Sequence, residues 1–197
     1  MPTIYYIRHG ETEWNADGRL QGVQDIPLND LGRAQAANAG GILAGLFARD
    51  GRREQSLAFI ASPLGRARLT MELVRSTLKL PPADYAVDDR LREIGYGNWE
   101  GSTLAQMEAS DPGVFAARQA DKWTVPPPGG ESYASVQLRM RDWYDSLLAD
   151  TVAVAHGGTA RALMVALGFE TPDSAADLTI EQGAVYVFGD GGLEKYC

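Results

Sequence analysis

Short apolar runs alternate with longer segments of helical periodicity along this chain, and no other feature constrains its fold as strongly. Strands that alternate with helices predict a mainly parallel sheet whose two faces are covered by helices. The predicted strands are 3–7, 56–62, 84–89 and 151–156, and the predicted helices are 27–47, 63–80, 131–149 and 157–169. The sequence therefore predicts an α/β fold, a three-layer sandwich around a mainly parallel central sheet.

Local signals refine this plan. Asn29 is a candidate N-cap for the first long helix, and Pro63 is a candidate for the first helical position of the next. Residues 178–197 predict a C-terminal antiparallel hairpin that turns at "GDGG". Residues 90–130 carry little strand signal and predict short helices and loops across one end of the sheet. No repeat or linker interrupts the pattern, so residues 1–197 are expected to form one domain.

Composition and charge exclude several classes of partner. The 197 residues are 45% hydrophobic and 22% charged, as in an ordinary globular protein. The formal net charge of -8 argues against nucleic acid, whose binding relies on clustered Lys and Arg. Neither a signal peptide nor a membrane-spanning apolar run is recognisable, so no membrane partner is expected. The single cysteine, Cys197, leaves no internal disulfide, which agrees with a cytoplasmic protein.

The only two histidines of the chain both stand where a predicted strand ends. Arg8 and His9 follow the first strand, and because neighbouring strand residues point to opposite faces, they cannot both fill the core. His156 ends the fourth strand, and Ser62 ends the second. In parallel sheets, ligands bind outside the carboxyl ends of the strands. The pattern predicts that His9, Ser62 and His156 lie at one rim of the sheet.

Three explanations of the histidine pair compete. A histidine at a strand end can be a structural cap bonded to a carbonyl, and histidine is also the commonest metal ligand. Arg8 would repel a metal cation, however, and the chain has neither an HExxH motif nor a Cys pair. Arg66, beside a predicted helix start, is either a solvated arginine or a phosphate ligand. With Arg8 and Arg19 it favours a local cationic hole, and Gly157 opens backbone N–H groups to an anion.

Five motifs then appear in order along the chain. They are "RHGETEWNADGRLQGVQDIPLNDLGRAQA" (8–36), "SPLGRARLT" (62–70), "LREIGYGNWEG" (91–101), "PPGGES" (127–132) and "VAHGG" (154–158). This series closely resembles that of the histidine phosphatase superfamily, also called the phosphoglycerate mutase-like family. The resemblance covers nearly the whole chain and is weakest in residues 45–57 and 105–122. Several ordered motifs are far more specific than RHG by itself.

The resemblance implies a chemistry and assigns roles to residues. His9 would accept the phosphoryl group as a phosphohistidine, and Glu93 would protonate the departing oxygen and then activate water. The catalytic residues implied are His9, Glu93, Arg8, Arg66 and His156. The residues implied to bind the substrate phosphate are Arg8, Asn15, Gln21, Gly22, Arg66, His156 and Gly157. No metal or organic cofactor is implied, because arginines and helix ends take the electrostatic role of a cation.

The proton donor depends on the resemblance more than the other assignments do. An acidic residue in a loop such as "DDRLREIG" is more often a solvated charge than a catalytic acid. Only the match to the family motif favours Glu93 over the other acidic residues near the motifs. Those left as structural or peripheral are Glu11, Glu13, Asp89 and Glu100. Trp99 is expected to pack this loop and not to touch substrate.

The family contains both phosphatases and mutases. The short region after Glu93 and the "PPPGGESY" stretch are similar to the phosphatase form, which we expect here, with a cofactor-dependent phosphoglycerate mutase as the alternative. A catalytically inactive phospho-ligand binding protein is a third reading, which the full residue set disfavours. The expected partner is a small-molecule phosphate ester, and the sequence does not identify which one. An aromatic wall for the leaving group is one interpretation of Tyr96, Trp123 and Tyr133, and simple packing of the loops is the other. A homodimer is compatible with the sequence.

Overall fold

A six-stranded sheet forms the centre of the computed structural model, which describes residues 2–197. The strands are β1 (Ile4–Arg8), β2 (Ala58–Ala61), β3 (Ala86–Val87), β4 (Thr151–Ala155), β5 (Val185–Gly189) and β6 (Gly192–Tyr196). Their spatial order is β3-β2-β4-β1-β5-β6. The first four are parallel, and β5 and β6 join them as an antiparallel hairpin. The predicted α/β fold and its C-terminal hairpin are confirmed.

Helices cover both faces of this sheet. The helices are α1 (Glu13–Ala16), α2 (Asp30–Asp50), α3 (Gly65–Thr77), α4 (Leu104–Ser110), α5 (Pro112–Ala120), α6 (Tyr133–Asp145), α7 (Gly157–Ala166) and α8 (Pro172–Ala176). Along β1, Tyr5 and Ile7 pack in the cluster formed with α2 and α3. Ile4 and Tyr6 pack in the cluster formed with α6 and α7. Because strand residues alternate in direction, one short apolar run supplies both layers. Within residues 2–197, no helix is both long and apolar enough to cross a membrane.

The start of α2 is as predicted, and the start of α3 is not. Asn29 caps α2, because its side chain accepts a hydrogen bond from Gly32 N at 2.8 Å. Pro63 does not stand at the first helical position, since α3 begins at Gly65 and its cap residue makes no side-chain hydrogen bond. Asp25, from a loop distant in sequence, accepts from Gly65 N at 2.8 Å instead. The cap of α3 is therefore a tertiary contact, which local sequence signals cannot reveal.

Other boundaries differ from the predicted ones by a few residues. The predicted strand 84–89 is reduced to the two residues of β3, and Tyr85 and Asp88 on either side have no regular secondary structure. The helix predicted over 131–149 begins after the Ser132 cap and ends at Asp145. The region 90–130 contains α4, α5 and short 3-10 turns, in agreement with the prediction. Helix α8 was not predicted, although its Thr171 cap and its proline at the first turn are ordinary start signals.

The register of the sheet brings the two histidines together. Arg8 pairs with Ala155 across β1 and β4. The next residue on each strand is a histidine, so His9 and His156 leave the sheet side by side. Strand β2 ends one step earlier beside β4, which puts Ser62 at the same rim. This rim is the carboxyl end of the parallel strands, where the sequence predicts the site.

Candidate active site

The hydrogen bonds around His9 select one form of its ring. Nδ1 lies 2.7 Å from the carbonyl oxygen of Gly10, and Nε2 lies 3.3 Å from Arg66 Nε. A guanidinium only donates, so Nε2 must accept and Nδ1 must carry the proton. The ring is 2% exposed. Burial, followed by the charges of Arg66 and Arg8, holds the pKa of His9 well below its usual range. His9 is therefore neutral, with the lone pair on Nε2.

His156 lies next to His9 and is not among the residues that line the cavity. The two ring centroids are 5.1 Å apart. His156 is fully buried, and its Nε2 lies 2.7 Å from Ser62 Oγ. Burial, then the charge of Arg66, keeps its pKa well below the usual value, so it too is neutral. Its Nδ1 is buried with no hydrogen-bond partner among the described residues.

Arg8 presents an unpaired group to the start of α7. Its Nη1 donates to the carbonyl of Ile180 at 2.7 Å, which fixes the side chain. Its Nε is buried and has no partner within the described part of the chain. A Cβ placed on Gly157 would lie 3.6 Å from that Nε, so the guanidinium stands against the first turn of α7. Burial lowers the pKa of Arg8, and the charge of Glu93 opposes this. The free Nε–H of Arg8 and the N-terminus of α7 therefore lie close together, an arrangement that favours the binding of an anion.

Arg66 joins the loop before α2 to the start of α3. Its Nη2 donates to the carbonyl of Gly22 at 2.8 Å, and its Nη1 donates to the carbonyl of Gln24. Asp25 lies 3.9 Å from the same guanidinium. Gly22 has a φ of +54°, and a Cβ there would lie 2.1 Å from Glu100 Oε1. A side chain at this position would strain the backbone and push the Glu100 carboxylate aside, so glycine suits it.

Glu93 lies at the other side of α7's first turn. Its Oε1 accepts from Ile94 N at 2.9 Å, and its Oε2 accepts from Gly158 N at 3.2 Å. A Cβ on Gly158 would lie 2.4 Å from Oε1. The helix N-terminus and the missing side chain of Gly158 thus hold this carboxylate in place. Arg139 fastens the loop behind it by donating to the carbonyl of Arg92 at 2.8 Å.

One cavity of about 150 Å³, here called the phosphate cavity, collects these groups. Its lining residues are Arg8, His9, Asn15, Arg19, Leu20, Gln21, Gly22, Arg66, Glu93, Tyr96, Gly157, Gly158 and Arg161. Every residue that the sequence predicts for the site lines it, except His156. Glu11, Glu13, Asp89 and Glu100 do not line it, as expected. The sequence thus predicts the composition of this cavity closely, while the roles of its residues stay predictions.

Asn15 and Gln21 add polar groups to the wall of the cavity. Asn15 Oδ1 accepts from Gln182 Nε2 at 3.0 Å and from Thr12 N at 3.3 Å. With the oxygen engaged, the amide N–H groups of Asn15 are the ones that can donate to an anion. Gln21 is buried, and its Oε1 finds no partner within residues 2–197. Asn15 belongs to α1, and Gln21 lies in the loop that Arg66 holds in place.

Arg161 and Gly158 line the cavity although the sequence reasoning did not select them. Arg161 stands four residues after Gly157 on α7, one turn along the same face of the helix. Its Nη1 lies 3.0 Å from the hydroxyl of Tyr133, and its Nε donates to the carbonyl of Leu178. Helical spacing from "HGG" would have found Arg161. Nothing local marks Gly158, because its role depends on the approach of Glu93.

The electrostatics of the cavity favour an anion. The cavity is lined by the neutral ring of His9, by the guanidinium groups of Arg8, Arg66 and Arg161, and by the N-terminus of α7. One carboxylate, that of Glu93, enters it. Among residues 2–197, no three His, Cys, Asp or Glu side chains come together as ligands for a metal ion. The arrangement suits a phosphoryl group held over His9 Nε2.

Comparison with known proteins decides the family. The family model described as the histidine phosphatase superfamily, branch 1, matches residues 4–192. This chain belongs to the histidine phosphatase superfamily. Among its relatives, a glucosyl-3-phosphoglycerate phosphatase of Mycobacterium tuberculosis is 37% identical over 83% of this chain and 74% of its own length. A 2,3-bisphosphoglycerate-dependent phosphoglycerate mutase of Gloeobacter violaceus is 30% identical over 92% of this chain and 82% of its own length.

Solved structures of the superfamily have the same architecture. A mycobacterial glucosyl-3-phosphoglycerate phosphatase in complex with VO3 superposes with a TM-score of 0.81 and 30% identity. The match covers 100% of this chain and 98% of that one. The family prediction from the ordered motifs is therefore confirmed over nearly the full length of the chain.

Proposed function

We propose that this superfamily member is a phosphatase that hydrolyses phosphate monoesters of small metabolites through a phosphohistidine on His9. The observation that supports this best is the state of the His9 ring. Its Nδ1 proton is directed to Gly10 and its Nε2 lone pair faces the arginine-lined cavity. A buried neutral histidine in this tautomer needs no deprotonation before it attacks phosphorus.

In the first step, His9 Nε2 forms a bond to phosphorus while the bond from phosphorus to the ester oxygen breaks. Arg66 turns its Nε–H from Nε2 onto a phosphoryl oxygen, and Arg8 and the N–H groups of α7 bind the others. Glu93, in its protonated form, gives its proton to the departing oxygen, so the product leaves as an alcohol.

In the second step, Glu93 acts as a base. It takes a proton from water as the water oxygen bonds to phosphorus, and the bond to His9 Nε2 breaks. Phosphate leaves, His9 regains its lone pair, and Glu93 is protonated again. His156 lies next to His9, and its Nδ1, which has no partner among the described residues, is its candidate group for a phosphoryl oxygen.

The phosphatase has more support than the mutase. The phosphatase relative is 37% identical, against 30% for the mutase relative. The short region after Glu93 offers few groups to hold a phosphoglycerate in two orientations. The inactive-binder alternative fails to explain why every catalytic residue of the family pattern is present.

The remaining parts of the proposal concern context. The partner is a small-molecule phosphate ester, with no nucleic acid and no membrane, and the reaction uses neither metal nor organic cofactor. Residues 1–197 act as one domain, in the cytoplasm, and a homodimer stays an open prediction.

Detection of the phosphohistidine tests the proposal. Enzyme mixed with ³²P-labelled ethyl phosphate and denatured within milliseconds should carry label that is stable in base and labile in acid, mapped to His9 by peptide analysis. His9→Ala should carry none and release no phosphate. Label on a serine, or undiminished turnover in His9→Ala, would contradict the mechanism.

A further inference from the structure

A second cavity opens beside the phosphate cavity. It has a volume of about 240 Å³ and lies against helices α4 and α5. Leu20, Tyr96 and Arg161 line both cavities, so the two adjoin each other. A substrate whose phosphoryl group stands over His9 can therefore extend into this second space, which we call the α4–α5 chamber. Its apolar lining includes Leu20, Tyr96, Trp99, Leu104, Phe115 and Tyr133.

The aromatic side chains of the chamber are held in place from outside. Trp99 is buried, and its Nε1 donates to Asp111 at 2.8 Å. Trp123, which does not line the chamber, stacks on Tyr133 with ring centroids 5.2 Å apart. Tyr96 is also buried. These rings form a fixed wall and need no rearrangement to receive a ligand.

The cations of the chamber already have partners within the protein. Arg118 donates to the backbone carbonyl of Val125, and Lys122 forms an ion pair with Asp177. Arg161, at the junction with the phosphate cavity, donates to a carbonyl and a tyrosine hydroxyl. An apolar group can fill the chamber without disturbing any of these bonds. The rings of the wall are therefore a surface that such a group can contact at no polar cost.

We propose that the α4–α5 chamber binds the leaving group of the substrate, and that this group is uncharged and carries one or two aromatic rings. The proposal rests on the phosphatase function and names its substrate class. A cavity of roughly 150 Å³ is enough for benzene. The 240 Å³ of the chamber suits a slightly larger ring system. Such rings have large apolar surfaces and pair well with the edges and faces of Tyr and Trp.

A matched series of esters tests this. Ethyl phosphate, glycerol 1-phosphate and 2-(1-naphthyl)ethyl phosphate share a primary alcohol at the ester oxygen, so their chemical reactivity is alike. Removal of the ring surface from water should raise kcat/KM for the naphthyl ester about 10- to 100-fold over ethyl phosphate. Glycerol phosphate should gain nothing. Equal kcat/KM for the three, or a preference for glycerol phosphate, would overturn the proposal and leave the phosphatase function intact.

A pair of surface variants locates the effect. Leu104 lines the chamber and is 60% exposed, and Leu138 lies on α6, outside the chamber, and is 74% exposed. A new carboxylate at either position is compatible with folding, because both side chains face solvent. In Leu104→Glu the ratio of kcat/KM between the naphthyl and ethyl esters should fall about tenfold. In Leu138→Glu it should not change. If the ratio is unchanged in Leu104→Glu, the preference for the naphthyl ester does not come from the α4–α5 chamber, and the proposal is overturned.

A binding measurement keeps the two proposals separate. 2-(1-Naphthyl)ethylphosphonate cannot be hydrolysed at its carbon–phosphorus bond, and ethylphosphonate is its control. Calorimetry should show tighter binding of the naphthyl compound, with a negative heat-capacity change from apolar burial. Tighter binding without turnover of any ester would support the chamber and refute the phosphatase. Equal affinities would refute the chamber whatever the turnover.

Discussion

Gly158→Ala should displace the proton donor and leave the rest of the protein intact. A Cβ on Gly158 would lie 2.4 Å from Glu93 Oε1 and 2.6 Å from Ile94 Cγ2, where ordinary contacts begin at 3.4 Å. The carboxylate must therefore move by about 1 Å, a misplacement that costs about 10²-fold in rate. The first atom in the way is the end of a flexible side chain, so the fold can yield there. Alanine also favours a helix over glycine by about 0.5–1 kcal/mol, which offsets part of the strain.

The effect should depend on the leaving group. An alkoxide needs a proton in order to leave, and nitrophenolate does not, so kcat/KM should fall about 100-fold for ethyl phosphate and far less for p-nitrophenyl phosphate. Released phosphate measures the first reaction, and absorbance of nitrophenolate measures the second. The melting temperature, followed by circular dichroism, should stay within a few degrees of the parent value.

Gly41→Ala is the matched control. Gly41 also lies within a helix, α2, and a Cβ there meets nothing within 4 Å. It should leave both rates unchanged. If Gly158→Ala slows both esters equally, the loss comes from the phosphate-binding N–H groups and not from Glu93. If it slows neither, the carboxylate at this position is not the proton donor. Either result would refute the reasoning.

Four further predictions follow from the same geometry. Glu93→Gln should slow phosphoenzyme formation from an alkyl phosphate about 10²–10⁴-fold and slow the reaction of p-nitrophenyl phosphate much less. Equal slowing of the two esters would exclude Glu93 as the proton donor. Both histidines have folded-state pKa values well below the ordinary 6.5. The unfolded chain therefore takes up more protons below pH 6.5, and the free energy of unfolding should fall by up to about 2.7 kcal/mol per pH unit as pH drops from 6.5. Urea denaturation between pH 6.5 and 5.5 checks this, and His9→Gln should remove about half of the slope; an unaltered slope would argue against a buried neutral ring. Phosphatase activity should survive treatment with EDTA, because Arg8 and Arg66 take the electrostatic role of a cation. A loss of activity that a divalent ion restores would instead support a metal-dependent mechanism. With 3-phosphoglycerate and catalytic 2,3-bisphosphoglycerate, little 2-phosphoglycerate should form, and fast isomerisation would favour the mutase.

The sequence by itself determined the parts of this protein that depend on local periodicity. Alternating apolar runs and helical segments specify the layers, because a strand repeats every two residues and a helix every 3.6. A strand that ends on histidine specifies the rim, since parallel strands all end at the same edge. For the same reason the sequence predicts that His9 and His156 lie close together at this rim. The Asn29 cap, too, acts within three residues of itself.

Only the tertiary structure decided what depends on residues far apart in the chain. Asp25 caps α3, and Pro63 lies before the first helical position, because a loop about forty positions earlier folds against the helix start. Gly158 leaves room for the Glu93 carboxylate, which approaches from another loop. The α4–α5 chamber exists because helices from the least readable segment close over rings supplied by α6 and by the Glu93 loop. Such contacts are set by how the elements pack, and packing has no period that a sequence displays.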